Sequence, residues 1–239
     1  MIKKILIIML ALAPTMGLSQ GKNNLSFGVG MVSDMYSDKN FSSLVFAGAG
    51  YNMGLSYERQ INEKMYLRGG FAMQTSELSH ELFAQPISNY FTGLDLLLYR
   101  QIFIKNQHKL SLGAGLNGAF GLRTIGYYNL SDVLEIQSGW VLSPAYQYDS
   151  GAFALRFSAV VPVLSVVLTQ AHVADGQHDF HFASLHNYFS LLTTSSVYFR
   201  IAPAQYVGMD YSWHFKNNEV VKSIHKASNA VRVSYMFIF

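Results

Sequence analysis

The chain contains no cysteine, so disulfide frameworks, thiolate metal sites and a lipid anchor on a Cys thiol are excluded. Proline is scarce, with 5 residues in 239, and charged residues make up only 13%. Long apolar runs are missing as well. Beyond the first twenty residues the closest approach is Ala159 to Leu168, which is short, β-branched and interrupted by Pro162 and Ser165. That falls well below the roughly 20 residues needed for a membrane helix. Neither sign of charge dominates: 17 Lys and Arg stand against 14 Asp and Glu, scattered along the chain. Without a basic patch, nothing points to nucleic-acid binding.

What is present is apolar and aromatic. Half the residues are hydrophobic, and 15 Tyr, 17 Phe and 19 Gly form a composition that favours strands and tight turns. Residues 1–19 read as a cleaved signal peptide. Lys3 and Lys4 supply the charged start, Ile5 to Ala13 the apolar centre, and Gly17 and Ser19 the small residues ahead of Gln20. An uncleaved membrane helix is the weaker reading, because nine apolar residues cannot span a bilayer. Removing the two lysines leaves a nearly neutral mature chain, residues 20–239, with length for one domain.

The mature chain repeats stretches of roughly 10 to 15 residues with period-two alternation, as expected where one face meets lipid and the other a lumen. Ten are recognised, at about 25–36, 48–60, 65–77, 90–103, 109–123, 134–148, 153–168, 188–201, 206–215 and 229–239. In the ninth, Val207, Met209, Tyr211, Trp213 and Phe215 share one face, while Tyr206, Gly208, Asp210, Ser212 and His214 share the other. The fifth sets Leu110, Leu112, Ala114, Leu116, Gly118, Phe120 and Leu122 against Ser111, Gly113, Gly115, Asn117, Ala119, Gly121 and Arg123. Small residues inside and large apolar ones outside invert the pattern of a soluble β-sandwich core.

Connection lengths alternate too. Short turns are expected near residues 62–64, 105–108, 149–151 and 202–204, and long connections at about 37–47, 78–89, 124–133, 169–187 and 216–228. This is the asymmetry of short periplasmic turns and long extracellular loops. The expected fold is therefore all-β, an antiparallel up-and-down transmembrane barrel of about ten strands. Eight or twelve is the counting error, and both termini are periplasmic.

Signal, alternation and the closing Val231, Val233, Tyr235, Phe237 and Phe239 together resemble the small Gram-negative outer-membrane β-barrel class, over the whole mature chain. The resemblance implies an outer-membrane location in contact with lipid. It also implies that the barrel-assembly machinery reads Tyr235, Phe237 and Phe239 as the insertion signal.

Projecting the alternation inward gathers Glu58, Arg68, Asp95, Arg156, Asp210, His214 and Arg232, with Asn52, Gln74 and Asn117. A ten-stranded barrel is only a little wider than one whose lumen side chains just fill, so these charges are expected to pair and plug it. A narrow path for small solutes is the alternative.

The fourth long connection holds His172, His178, His181 and His186, with Asp175 and Asp179 among them. His178, His181 and His186 are candidate ligands for Zn or Cu should the segment fold back, although their spacing matches no specific motif; an exposed polar loop is the plainer reading. Asp179-Phe180-His181 also resembles the Asp-x-His pair of the omptin proteases, with Glu77 and Glu81 as the candidate facing acids. No histidine has a serine two positions later, so the His-x-Ser pair of outer-membrane acyl hydrolases is absent. The leading expectation is a non-enzymatic barrel whose extracellular loops bind a ligand, surface component or partner protein. The alternatives are a rim hydrolase, a narrow channel, and an accessory barrel of a secretion or envelope-assembly system.

Overall fold

The computed structural model describes residues 23–39, 42–125, 133–170, 179–220 and 223–239; residues 1–19 lie outside them. Eleven strands follow one another: β1 (Asn23–Asp38), β2 (Ser42–Asn62), β3 (Met65–His80), β4 (Phe83–Lys105), β5 (His108–Ile125), β6 (Val133–Asp149), β7 (Phe153–Gln170), β8 (Asp179–Ser184), β9 (Tyr188–Ala202), β10 (Gln205–Asn218) and β11 (Ile224–Ile238). All but β8 form one closed antiparallel sheet, each strand pairing with its sequence neighbours and β1 pairing with β11. Among the described residues there is no helix.

The register shows that the strands are tilted. Asn24 on β1 leads through Glu58, Arg68, Leu97, Gly115 and Val141 to Pro162 on β7. In the other direction, Tyr36 on β1 leads through Lys226 and Lys216 to Ser190 on β9. The pairing of Val160 with Leu192 sets Ser190 beside Pro162. A circuit of the wall thus leaves β1 at Asn24 and re-enters it at Tyr36, the stagger that closing a tilted barrel requires. Side chains far apart in sequence therefore meet in the lumen.

The four short turns fall where the sequence places them. The other connections are shorter than expected, because the strands continue into them. In particular, β3 and β4 run on as a hairpin to the pair His80 and Phe83, so most of the second long connection is strand. The cause is apolar: Tyr36, Phe46, Leu78, Ile87 and Ile224 point inward and pack together, with Leu44 and Phe83 against them.

The fourth long connection contains β8, which the alternation did not reveal. It pairs with Leu164 to Thr169 of β7, whereas β9 pairs with β7 only from Phe153 to Val160. Between these two stretches a bulge follows Pro162, with Trp140 opposite Leu164 and Val141 opposite Pro162. The inward face of β7 consequently changes from Ala154 and Ser158 to Ser165 and Val167.

Outside, the wall is a band of exposed apolar side chains such as Met31, Tyr51, Leu94, Trp140 and Val233. An apolar band of that kind is what a transmembrane barrel turns towards lipid. Inside, glycine decides how closely neighbouring strands coil. A Cβ on Gly50, which faces the lumen, would lie 1.8 Å from the Thr75 carbonyl oxygen, whereas one on outward-facing Gly118 would meet nothing nearer than 3.9 Å. Gly50→Val is therefore expected to abolish the compact, heat-modifiable gel band of a folded barrel, and Gly118→Ala to retain it.

Candidate functional site

Two regions carry the polar chemistry, the lumen and the rim at the end with long connections. Near the short-turn end the lumen is largely aromatic. Tyr66 and Tyr99 stack with ring centroids 4.7 Å apart, and the Tyr99 hydroxyl lies 2.6 Å from Ser143 Oγ. Ala154, Tyr198, Tyr206 and Met236 form a second buried cluster.

Above this floor lies a charged layer. Glu58 accepts hydrogen bonds from Arg156 Nη1 and from Asn24 Nδ2, both at 3.1 Å. Asp210 accepts from the Tyr198 hydroxyl at 2.8 Å and from Ser234 Oγ, and Arg232 Nε sits 3.8 Å from it. Arg232 also donates to Asn52 Oδ1 at 3.3 Å. Arg68 Nη1 reaches Ser158 Oγ at 3.5 Å, while Arg68 Nε and Asp95 Oδ2 are buried with no hydrogen-bond partner in the protein. A cavity of about 180 Å³, lined by Glu58, Arg68, Asp95, Arg156, Asp210 and Arg232 among others, separates these groups. It has the size and polarity of a water pocket.

A second polar layer closes the cavity on the other side. Asp34 is fully buried and accepts hydrogen bonds from Gln74 Nε2 at 2.7 and 2.6 Å, Ser76 Oγ at 2.5 Å, Asn89 Nδ2 at 3.0 Å and Ser228 Oγ at 2.5 Å. One carboxylate thereby ties β1 to β3, β4 and β11. Beside it Glu135 binds Arg123 at 3.3 Å and also Lys216, all three buried. The Arg123 guanidinium lies 4.0 Å from the Tyr36 ring centroid, and Lys226 stands over Phe91 at 4.6 Å. Tyr188 donates to Gln137 Oε1 at 2.5 Å, and His214 Nε2 lies 3.0 Å from Ser190 Oγ. The apolar cluster around Leu78 and Phe46 forms the roof.

All seven charged or titratable residues expected in the lumen face it, as do Asn52, Gln74 and Asn117. The Asp34 and Glu135 networks were missed as such. Asp34, Arg123 and Glu135 fall within recognised strands, so carrying the alternation through would have found them. Asn89, Lys216, Lys226 and Ser228 fall in segments read as loops.

The rim residues are not assembled in the same way. His181 lies opposite Val167, on the face of β8 that carries buried Ala183, and its Nε2 is buried without a partner. The backbone of Asp179 pairs with Thr169, but its side chain lies outside the described residues. Glu77 is exposed on the outward face of β3, pointing away from the side on which His181 stands, and Glu81 is exposed at the tip of the β3–β4 hairpin. His80 packs on Phe46 and Phe83 instead. His186 Nδ1 is 2.6 Å from Ser184 Oγ, and His178 lies outside the described residues. Among the described residues no three His, Asp or Glu side chains gather as a metal site.

No protein-family description and no curated protein matches the chain by sequence. Solved structures do match it in shape. The outer-membrane protease OmpT of Escherichia coli superposes with a TM-score of 0.59 at 7% identity, over 93% of this chain and 98% of that one. The translocator domain of the autotransporter NalP of Neisseria meningitidis matches with a TM-score of 0.46 at 6% identity, over 96% and 92%. Neisserial surface protein A matches at 0.40 and 13% identity, over 90% and 97%. The fold is that of the outer-membrane β-barrel class.

Removing Glu135 leaves Arg123 and Lys216 buried without their carboxylate. Glu135→Ala is expected to cost about 3–5 kcal/mol in urea unfolding from lipid vesicles, while Glu77→Ala stays within about 0.5 kcal/mol of the parent.

Proposed function

We propose that the protein is a non-enzymatic, lumen-closed barrel of the outer membrane. Its short turns and both termini lie in the periplasm, and its long-connection end binds a ligand, surface component or partner protein outside the cell. The observation that carries this reading is the double closure of the lumen, in which two hydrogen-bonded charged layers stand between an aromatic floor and an apolar roof. A solute path needs a continuous wet route, and a roof built from Tyr36, Phe46, Leu78, Ile87 and Ile224 opposes one.

With the lumen closed, the β3–β4 hairpin and the β7–β8 pair are, among the described residues, the parts we assign to meeting partners. Exposed Leu82 and Phe182 stand on them at 76% and 89% of full accessibility. Loops on a rigid scaffold are the usual place for recognition. The outward Tyr235 and the stacked Phe237 and Phe239, whose ring centroids lie 5.6 Å apart, form the closing strand that we propose the assembly machinery reads.

The hydrolase reading draws less support. The likeness to OmpT is one of fold, and fold does not carry activity. Exposed Glu77 on the outer face of the wall is badly placed to share a water with His181.

In planar bilayers the purified barrel is expected to show no conductance above background; stable single-channel steps would refute the closed lumen. Shortening β3–β4 beyond Leu78 and Ile87, and β7–β8 beyond Val167 and His181, is expected to leave membrane insertion intact and abolish binding to intact cells or surface extracts. Asp179→Ala and His181→Ala are expected to leave hydrolysis of peptide and ester substrates by whole cells unchanged.

A further inference from the structure

Lipid-facing charge is costly within a bilayer and declines in cost towards its surfaces, so a charged side chain on the outer wall without a protein partner calls for one in the membrane. Two arginines fit that description. Arg59 on β2 and Arg100 on β4 are both exposed on the outward face, and among the described residues neither guanidinium has a hydrogen-bond or ion-pair partner. They flank β3, Arg59 opposite Leu67 and Arg100 opposite Met65. That places their Cα atoms two strand spacings apart across the sheet, about 10 Å, and two residues apart along it, about 7 Å. Two arginine side chains can converge across that distance on one phosphate, whose oxygens suit guanidinium donors.

A second feature lies on the same face. Gly69 is the next outward position on β3 after Leu67, between Tyr57 and Leu96, and a Cβ built on it would meet nothing nearer than the Asp95 carbonyl oxygen at 4.0 Å. With exposed Tyr57 on one side and exposed Leu96 and Leu98 on the other, the missing side chain leaves a shallow apolar dent. The dent lies towards the membrane centre from the arginines. Polar charge at the end of the wall and an apolar dent further in match the order of headgroup and acyl chain in a phospholipid. The surrounding sector reinforces the sign, since exposed Lys64 and Lys105 stand at the same end of β2 to β5 and Glu63 is the acid among them.

We propose that Arg59 and Arg100 clamp the phosphate of an anionic phospholipid in the leaflet at the short-turn end, with one acyl chain lying over Gly69. The occupant is a lipid because the dent and both arginines lie on the wall that faces the bilayer.

The test uses the full-length barrel in phosphatidylcholine bilayers with and without phosphatidylglycerol, followed by native mass spectrometry of the lipid retained on the protein. The parent is expected to retain phosphatidylglycerol in preference to phosphatidylcholine. Arg59→Gln and Arg100→Gln should each weaken that retention about fivefold, and the double variant should lose the preference. Gly69→Ile, which fills the dent, should reduce retention of both lipids, and Arg200→Gln, on distant β9, should change nothing. Soluble glycerol phosphate in excess should not displace the lipid. The proposal is overturned if the parent shows no preference, if the double variant keeps it while still giving the heat-modifiable band, or if Arg200→Gln matches the double variant.

Discussion

Inside a bilayer no water is available to satisfy a backbone amide or carbonyl, and the structure depends on that constraint throughout. A sheet meets it only by having no edge, so β1 must pair with β11 as fully as any hairpin pair does. Pro162 shows how little slack exists. It pairs in register with Val141 of β6, and the ladder to β9 stops two residues earlier, at Val160. Above that point β8 supplies the hydrogen bonds that β9 no longer offers to β7.

Closure creates an interior, and in a ten-stranded barrel the interior is too narrow to remain a wide aqueous pore and too polar to be an oily core. The carboxylates of Asp34 and Glu135 persist there because each is held by several partners. Asp34 collects donors from three other strands, and Glu135 lies between Arg123 and Lys216. Such networks contribute little net stability compared with an apolar filling, but losing one member is expensive. They act mainly as cross-braces that hold non-adjacent strands in one register. The apolar roof has a different effect: by giving β3 and β4 something to bury past the charged layers, it extends them as hairpins where a loop would otherwise begin.

Much of this was legible in the residues. Strict alternation on β5 and β10, with glycine and polar side chains inside, located the wall and told its two faces apart. The four short turns followed from connection length. The lumenal charges Glu58, Arg68, Asp95, Arg156, Asp210, His214 and Arg232 followed from parity alone. Parity failed at Val163, where a single bulged residue reverses the faces of β7, and at β8, whose six residues are too few to stand out. It also could not say that Asp34 and Asn89, 55 positions apart, would share a hydrogen bond of 3.0 Å.

The sequence by itself determined that the chain forms a closed antiparallel barrel with an apolar outside and a polar inside, because side-chain parity is set locally along a strand and changes face only where a bulge such as that at Val163 intervenes. Which inward charges meet was decided only in the tertiary structure. The stagger of the closed sheet sets Glu58 against Arg156 across the lumen and leaves Glu77 on the outer wall, facing away from His181. Those pairings depend on the circuit from Asn24 back to Tyr36, a property of the whole ring of strands that no single segment contains.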